Sequence, residues 1–165
     1  EQLLVLARLD RTPDSRTAPI DLYPIVIDLM ADLWPLAHER GQQLTLEGLK
    51  QLRVHADETE VGILFRNLLD NALRYTPEGG HVEVELGETT QGGAQIRVRD
   101  SGPGIPEDLL EKVTERFRRA SDQRTTGSGL GLSIVVELAQ RQQATLHLRN
   151  RPEHGLEATI VWSTP

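Results

Sequence analysis

The chain has no cysteine. That excludes disulfides, thiol nucleophiles and Cys-ligated zinc, and it is compatible with a reducing compartment. Aromatic residues make up only 4% of the sequence, so Leu, Val and Ile must fill the core. No apolar run approaches the roughly 18–20 residues of a membrane-spanning helix. The first residues lack the pattern of a secretory leader, and no internal repeat is found. Positive charge is in deficit. The net charge of −7 argues against a nucleic-acid partner and offers nothing to an anionic membrane. The five histidines have no metal-ligand spacing. At 165 residues, one compact domain with an appended arm is expected.

Read in order, the chain opens with EQLLVLARLD, where Leu3, Leu6 and Leu9, with Leu4 and Ala7, form a stripe at helical spacing. No N-cap precedes it, so it reads as the tail of a longer helix or as an ordinary terminal helix. Arg11–Ala18, with Pro13, reads as a linker. A short strand is expected at Pro19–Leu22, then a helix over Tyr23–Arg40 with Ile25, Leu29, Leu33, Leu36 and Ala37 on one side. Pro35 predicts a kink or an early stop in it. Strands are expected at Gln43–Leu46 and Leu52–His55.

Asp57-Glu-Thr-Glu60 is a capping-box pattern that starts a central helix ending at Pro77-Glu-Gly79-Gly80. Val61, Leu64, Phe65, Leu68 and Ala72 face the core, and Glu60, Ile63, Asn67, Asn71 and Arg74 share an adjoining face. Two alternating strands, around Val82–Leu86 and Ile96–Val98, join at Gln91-Gly92-Gly93. A short helix follows at Pro106–Val113, then a basic Gly/Thr-rich loop over Arg116–Ser128. Leu130–Arg141 is a helix with Leu130, Ile134, Val135 and Leu138 inward. Ala144–Arg149 and Leu156–Trp162 make a closing hairpin. This order predicts a two-layer α/β (α+β) sandwich, a mixed sheet with helices on one face.

Three features carry chemistry. Gly127, Gly129 and Gly131 precede a helix, where bare backbone and free N–H groups suit an anion. The spacing fits neither a Walker loop nor the dinucleotide fingerprint. Asp100 ends a strand before Ser-Gly102-Pro-Gly104; it suits either a turn or an acceptor for an exocyclic amine such as that of adenine. Asn67 and Asn71, four residues apart on one helical face, are poor helix formers whose amides need partners. An amide oxygen is a hard donor suited to Mg²⁺ shared with phosphate.

The run Asn67-Leu-Leu-Asp-Asn71-Ala-Leu-Arg-Tyr-Thr-Pro77 resembles the N box of bacterial sensor histidine kinases. Asp100–Gly104 resembles their G1 box, Thr126–Val135 their G2 box, Glu115-Arg-Phe117 their F box, and Gly155–Thr159 their final Gly…Thr element. Order and spacing match over about Asp57–Trp162. The resemblance implies the Bergerat ATP-binding fold shared with gyrase, MutL and Hsp90 ATPases, with ATP and Mg²⁺ as ligands. By position it implies that Asn71 ligates Mg²⁺, Asn67 supports the phosphate end, Arg74 contacts phosphate and Tyr75 packs near adenine or ribose. It implies that Asp100 reads the adenine amine, with Thr159 beside it through water, and that Gly102 and Gly104 shape the base pocket. Gly127, Ser128, Gly129, Leu130, Gly131 and Leu132 would hold phosphates. Ile105–Ser128 would be the lid, with Arg119 the first choice for the γ-phosphate and Arg116 and Arg124 as rivals.

Two departures stand out. Thr114 replaces the usual second aromatic of the F box. None of the five histidines, His38, His55, His81, His147 or His154, has the family's phospho-acceptor context. In the resembling hydrolases, a Glu four residues before the metal-binding Asn activates water. Here that position is Asn67, and an amide is no general base. The expectation is a histidine kinase catalytic and ATP-binding domain over 19–165, preceded by the end of a dimerisation helix (1–12) and a linker (13–18). Its partners would be its own dimerisation domain and a response regulator. The fragment would be monomeric and the whole protein a homodimer, with this domain on the cytoplasmic side of an inner membrane. A MutL- or chaperone-like ATPase module and a non-catalytic binding module are the alternatives.

Overall fold

The computed structural model describes residues 17–110, 112 and 130–163. Among the described residues its main elements are β1 (Ala18–Asp21), α1 (Leu22–Glu39), β2 (Gln43–Gly48), β3 (Arg53–Ala56), α2 (Glu58–Tyr75), β4 (His81–Glu88), β5 (Ala94–Asp100), α3 (Leu130–Arg141), β6 (Ala144–Asn150) and β7 (Leu156–Trp162). Residues 107–110 are also helical, within the predicted Pro106–Val113 segment. The main sheet has five strands in the order β2-β4-β5-β7-β6, and β1 and β3 form a separate antiparallel pair. β2 runs parallel to β4; every other neighbour in the main sheet is antiparallel. This is the expected mixed-sheet, two-layer α/β sandwich.

Strand alternation decides which face is covered. Val82, Val84, Leu86, Ile96, Val98, Ala158, Ile160 and Trp162 are buried in one core with the helices. α1 contributes Leu22, Val26, Met30, Leu33 and Ala37; α2 contributes Val61, Leu64, Phe65, Leu68, Leu69, Ala72 and Leu73; α3 contributes Ile134, Val135, Leu138 and Ala139. The opposite face of the sheet is a charged lattice. Arg99 donates to Glu83, Glu85 and Glu157, Arg97 to Glu85, and Arg149 to Glu157.

Three expectations need correcting. α1 does not stop at Pro35 but runs on to Glu39, and Pro35 lies on its exposed side. Leu36 is 47% exposed, because Leu33 and Ala37 already occupy the core-facing line of that turn. The capping box is only half made. Asp57 accepts from the Glu60 N–H, but the Glu60 carboxylate turns away to Arg141 and Gln142, and the Asp57 N–H is taken by Gln142 instead.

Candidate nucleotide site

α2, β5 and the β6–β7 turn meet at one corner, and Asp100 is its hinge. Asp100 ends β5 on the helix-covered side of the sheet and is 5% exposed. Its Oδ1 accepts from the Gly102 N–H (2.8 Å) and the Leu156 N–H (3.1 Å), so one oxygen ties two loops together. Its Oδ2 makes no hydrogen bond to a described residue. Burial raises the Asp100 pKa above its ordinary value, against the opposing pull of those two amides, Arg151 and His81. A buried carboxylate with a spare oxygen is an acceptor for a neutral N–H donor.

Close backbone approach explains the glycines. A Cβ on Gly155, whose φ is +99°, would fall 1.9 Å from the Asp100 carbonyl oxygen. A Cβ on Gly102 would fall 2.7 Å from the Tyr75 carbonyl oxygen, which is how the end of α2 comes to rest on this loop. The sequence reading missed two further residues. Asn150 grips the backbone of Ile105 from both sides, its Oδ1 accepting from the Ile105 N–H (2.9 Å) and its Nδ2 donating to the carbonyl (2.6 Å). Arg151 donates to the Asp100 carbonyl oxygen (2.9 Å). Their only sequence signal is a polar pair where the β6 alternation ends before Pro152.

A cavity of about 610 Å³ opens beside this corner, with Tyr75, Gly102, Pro103, Asn150, Arg151 and His154 in its wall. Asp100 is behind that wall rather than on it. On α2, Asn67 and Asn71 are both partly exposed. The Asn67 Nδ2 donates to the Ile63 carbonyl oxygen (2.8 Å), which leaves its Oδ1 uncommitted among the described residues. The Asn71 amide makes no hydrogen bond to a described residue. Arg74 and Tyr75 end the helix, both exposed. Half-buried Asp70 sits between Arg66 and Arg74; desolvation raises its pKa and the two arginines oppose the rise. Leu132, in the first turns of α3, packs against the core.

Of the predicted residues, Tyr75 and Gly102 line this cavity, Asp100, Gly104 and Ile105 are tied to its wall through Gly102, Gly155 and Asn150, and Asn67, Asn71 and Arg74 lie along α2, whose last residue is Tyr75. The structure does not bring Thr159 to them. Thr159 pairs with Arg97 in β7 and lines a different cavity of about 460 Å³ on the charged face, with Arg97, Arg99 and Glu157. Asp100 and Thr159 lie at opposite phases of strand alternation, so the sheet itself separates them. Arg116, Arg119, Arg124, Gly127, Ser128, Gly129 and the Glu115–Phe117 element lie outside the described residues, as do the Leu130 side chain, the burial of Gly131 and the whole 1–12 segment.

A mixed sheet with one helical layer, and an asparagine-bearing helix beside a buried Asp-Ser-Gly-Pro-Gly corner, is the architecture of a nucleotide-binding ATPase domain. Residues 56–165 match the family described as histidine kinase-, DNA gyrase B- and HSP90-like ATPases. The chain belongs to this family and, within it, to the catalytic domains of sensor histidine kinases. It is 38% identical to the sensor protein QseC of Salmonella typhimurium over 169 residues, covering 98% of this chain and 35% of that protein. It is 37% identical to the sensor protein BasS of the same organism, covering 97% of this chain and 45% of that one. Thus the chain spans less than half the length of these relatives. Among solved structures, the cytoplasmic segment of histidine kinase QseC superposes with a TM-score of 0.69 at 27% identity, covering 99% of this chain and 89% of that one. A complex of histidine kinase ThkA with the response regulator protein TrrA has the same fold, with a TM-score of 0.80 at 21% identity, covering 98% of this chain and 46% of that one.

Proposed function

We propose that this domain binds Mg-ATP and transfers its γ-phosphate to a histidine on the dimerisation domain of a two-component sensor kinase, for relay to a response regulator. Asp100 carries the reading. Its Oδ1 is spent on the Gly102 and Leu156 amides, which leaves its other oxygen as the one that would accept from the amine of adenine. Tyr75 and Ile105 bound the base on either side. Asn71, and the Asn67 oxygen, suit a Mg²⁺ that keeps waters and shares phosphate oxygens. When bound, Mg²⁺ neutralises charge on those oxygens. Arg74, Gly127–Leu132 and one lid arginine, Arg119 first among Arg116, Arg119 and Arg124, complete the phosphate end. Thr159 has no part in it.

Transfer breaks the bond between the γ-phosphorus and the β–γ bridging oxygen, which leaves with ADP. A bond to an imidazole nitrogen forms, and the imidazole proton goes to solvent. The alternative, a MutL- or chaperone-like ATPase, needs a base to activate water. At the relevant position the Asn67 side chain offers only an amide, whose nitrogen already donates to Ile63. The domain is cytoplasmic in an inner-membrane protein and monomeric by itself; the whole kinase is a homodimer. Among the described residues, no helix is long and apolar enough to cross a membrane.

The experiment supplies γ-labelled Mg-ATP and a separately made dimerisation domain with its acceptor histidine. Acid-labile, base-stable label on that domain is the expected result. Free labelled phosphate released without the acceptor would move the assignment to the hydrolases.

A further inference from the structure

The failed capping box leaves a buried polar cluster that the nucleotide site does not use. Glu60, in the first turn of α2, is 7% exposed, and Gln142, just past the end of α3, is 1% exposed. The Glu60 carboxylate receives Arg141 through Nη2 (2.5 Å) and Nε (3.2 Å), and also the Gln142 Nε2. The Gln142 Oε1 then accepts from the Asp57 N–H (2.6 Å). The Gln142 amide is thereby fixed in one orientation, with donor toward Glu60 and acceptor toward Asp57. The chain leaves α3 through Gln143 at φ +55°, a left-handed residue.

This cluster joins the N-terminal end of α2 to the C-terminal end of α3. The two helices pack lengthwise, so they run antiparallel. Asn71 lies about three turns, or roughly 16 Å, along α2 from Glu60, and Leu130 lies the same distance back along α3 from Arg141. The two halves of the phosphate site therefore hang from the same junction at equal reach. Apolar contacts between helix and sheet are non-directional and set no axial register. Hydrogen bonds among buried charged and amide groups are directional and do. A buried ion pair adds little net stability over an apolar substitute, so stability alone does not account for this one.

The geometry points to Glu60, Arg141 and Gln142 as positioning residues that fix α2 against α3, and so set the separation between Asn67/Asn71 and the phosphate-binding start of α3. The inference rests on the nucleotide reading and adds to it a control on phosphate affinity separate from base affinity. The base corner is held by different bonds: those of Asp100, Asn150 and Arg151 at the end of the sheet, none of which reaches this cluster.

The test measures the affinity of the chain for Mg-ATP and for adenosine. Gln142→Glu sets two carboxylates face to face. It should cut the preference for Mg-ATP over adenosine by roughly 2- to 30-fold and leave adenosine affinity unchanged. Adding Glu60→Gln exchanges amide and carboxylate: it restores the bond between residues 60 and 142 and the acceptor for the Asp57 N–H, gives up only the Arg141 Nε bond because an amide nitrogen now stands there, and should restore most of the preference. An unchanged preference in Gln142→Glu overturns the inference. So does a parallel loss of both ligands, which marks general damage. A wild-type chain with no preference for Mg-ATP removes the functional reading, and this inference with it, before any variant is compared.

Discussion

Replacing Asp100 by Asn changes charge and hydrogen-bonding sense at constant volume. The Asn oxygen can keep the Gly102 and Leu156 amides, now held by the Asp100 Oδ1 at 2.8 and 3.1 Å. The Asn nitrogen then stands where the spare carboxylate oxygen was, and two N–H donors face each other across the base. A hydrogen bond to a charged group contributes about 1.5–3 kcal/mol, so ATP affinity should fall by roughly 10- to 150-fold. Stability should move by less than about 1 kcal/mol, because burial already disfavours the charge that is removed. Asp100→Ala separates the two roles. It strands two buried amides at a cost of about 1–3 kcal/mol each and should lower the melting temperature as well. Titration with Mg-ATP and Mg-GTP, with calorimetric melting alongside, reads all of this. GTP presents a carbonyl where ATP presents the amine, so Asp100→Asn should also erode discrimination between them. An Asp100→Asn protein that binds ATP like wild type, or loses ATP and GTP in equal measure, would refute the acceptor role.

Further outcomes follow from the same geometry. Asp100 has a native pKa above its ordinary 3.8. The protonated form is therefore favoured by folding: its contribution to stability is full below 3.8 and is lost as pH rises through the native value. Binding runs the other way, and ATP affinity should fall as pH drops through that raised value, earlier than for an ordinary aspartate; isothermal titration across pH checks it. Asn71→Ala should weaken Mg-dependent ATP binding while shifting stability by no more than about 0.5 kcal/mol, since that side chain bonds to no described residue; titration with and without Mg²⁺ separates the two. Gly155→Ala places a methyl against the Asp100 carbonyl in a left-handed backbone and should cost at least about 1–3 kcal/mol, read as a lowered melting temperature with weakened ATP binding. On the outer face, burial would raise the Glu157 pKa, but hydrogen bonds from Arg99 and Arg149 bring it below its ordinary 4.5. That stability is present above 4.5 and lost as pH falls through the native value. Arg99→Gln should flatten this acid limb in a melting series.

Much of the fold could be read from periodicity. The β4 and β5 alternation, the α2 core stripe and the C-terminal hairpin stand where the sequence puts them, because one-sided burial imposes a period that neighbouring residues cannot hide. Thr159 shows the limit. A motif places a residue along a strand, but a side chain one step out of phase projects from the other face, and Thr159 is out of phase with Asp100. Glu60 shows a second limit: Asp57-Glu-Thr-Glu60 is a sound local pattern, yet a partner 82 positions away took its carboxylate. Asn150 was invisible for the same reason, since its function is a backbone contact 45 positions distant.

The single parallel pairing in the sheet bears on how the domain assembles. β2 and β4 are in register at a separation of 38 residues, and α2 lies within the connection between them. Parallel strands cannot close through a tight turn; they need a long crossover, and contacts across such a span form slowly. The β4–β5 and β6–β7 hairpins need no such search. The helix that carries Asn67 and Asn71 is thus part of the segment whose docking completes the sheet's edge, so competence to bind nucleotide should arrive with the long-range pairings, this one and that of β5 with β7, rather than with the hairpins.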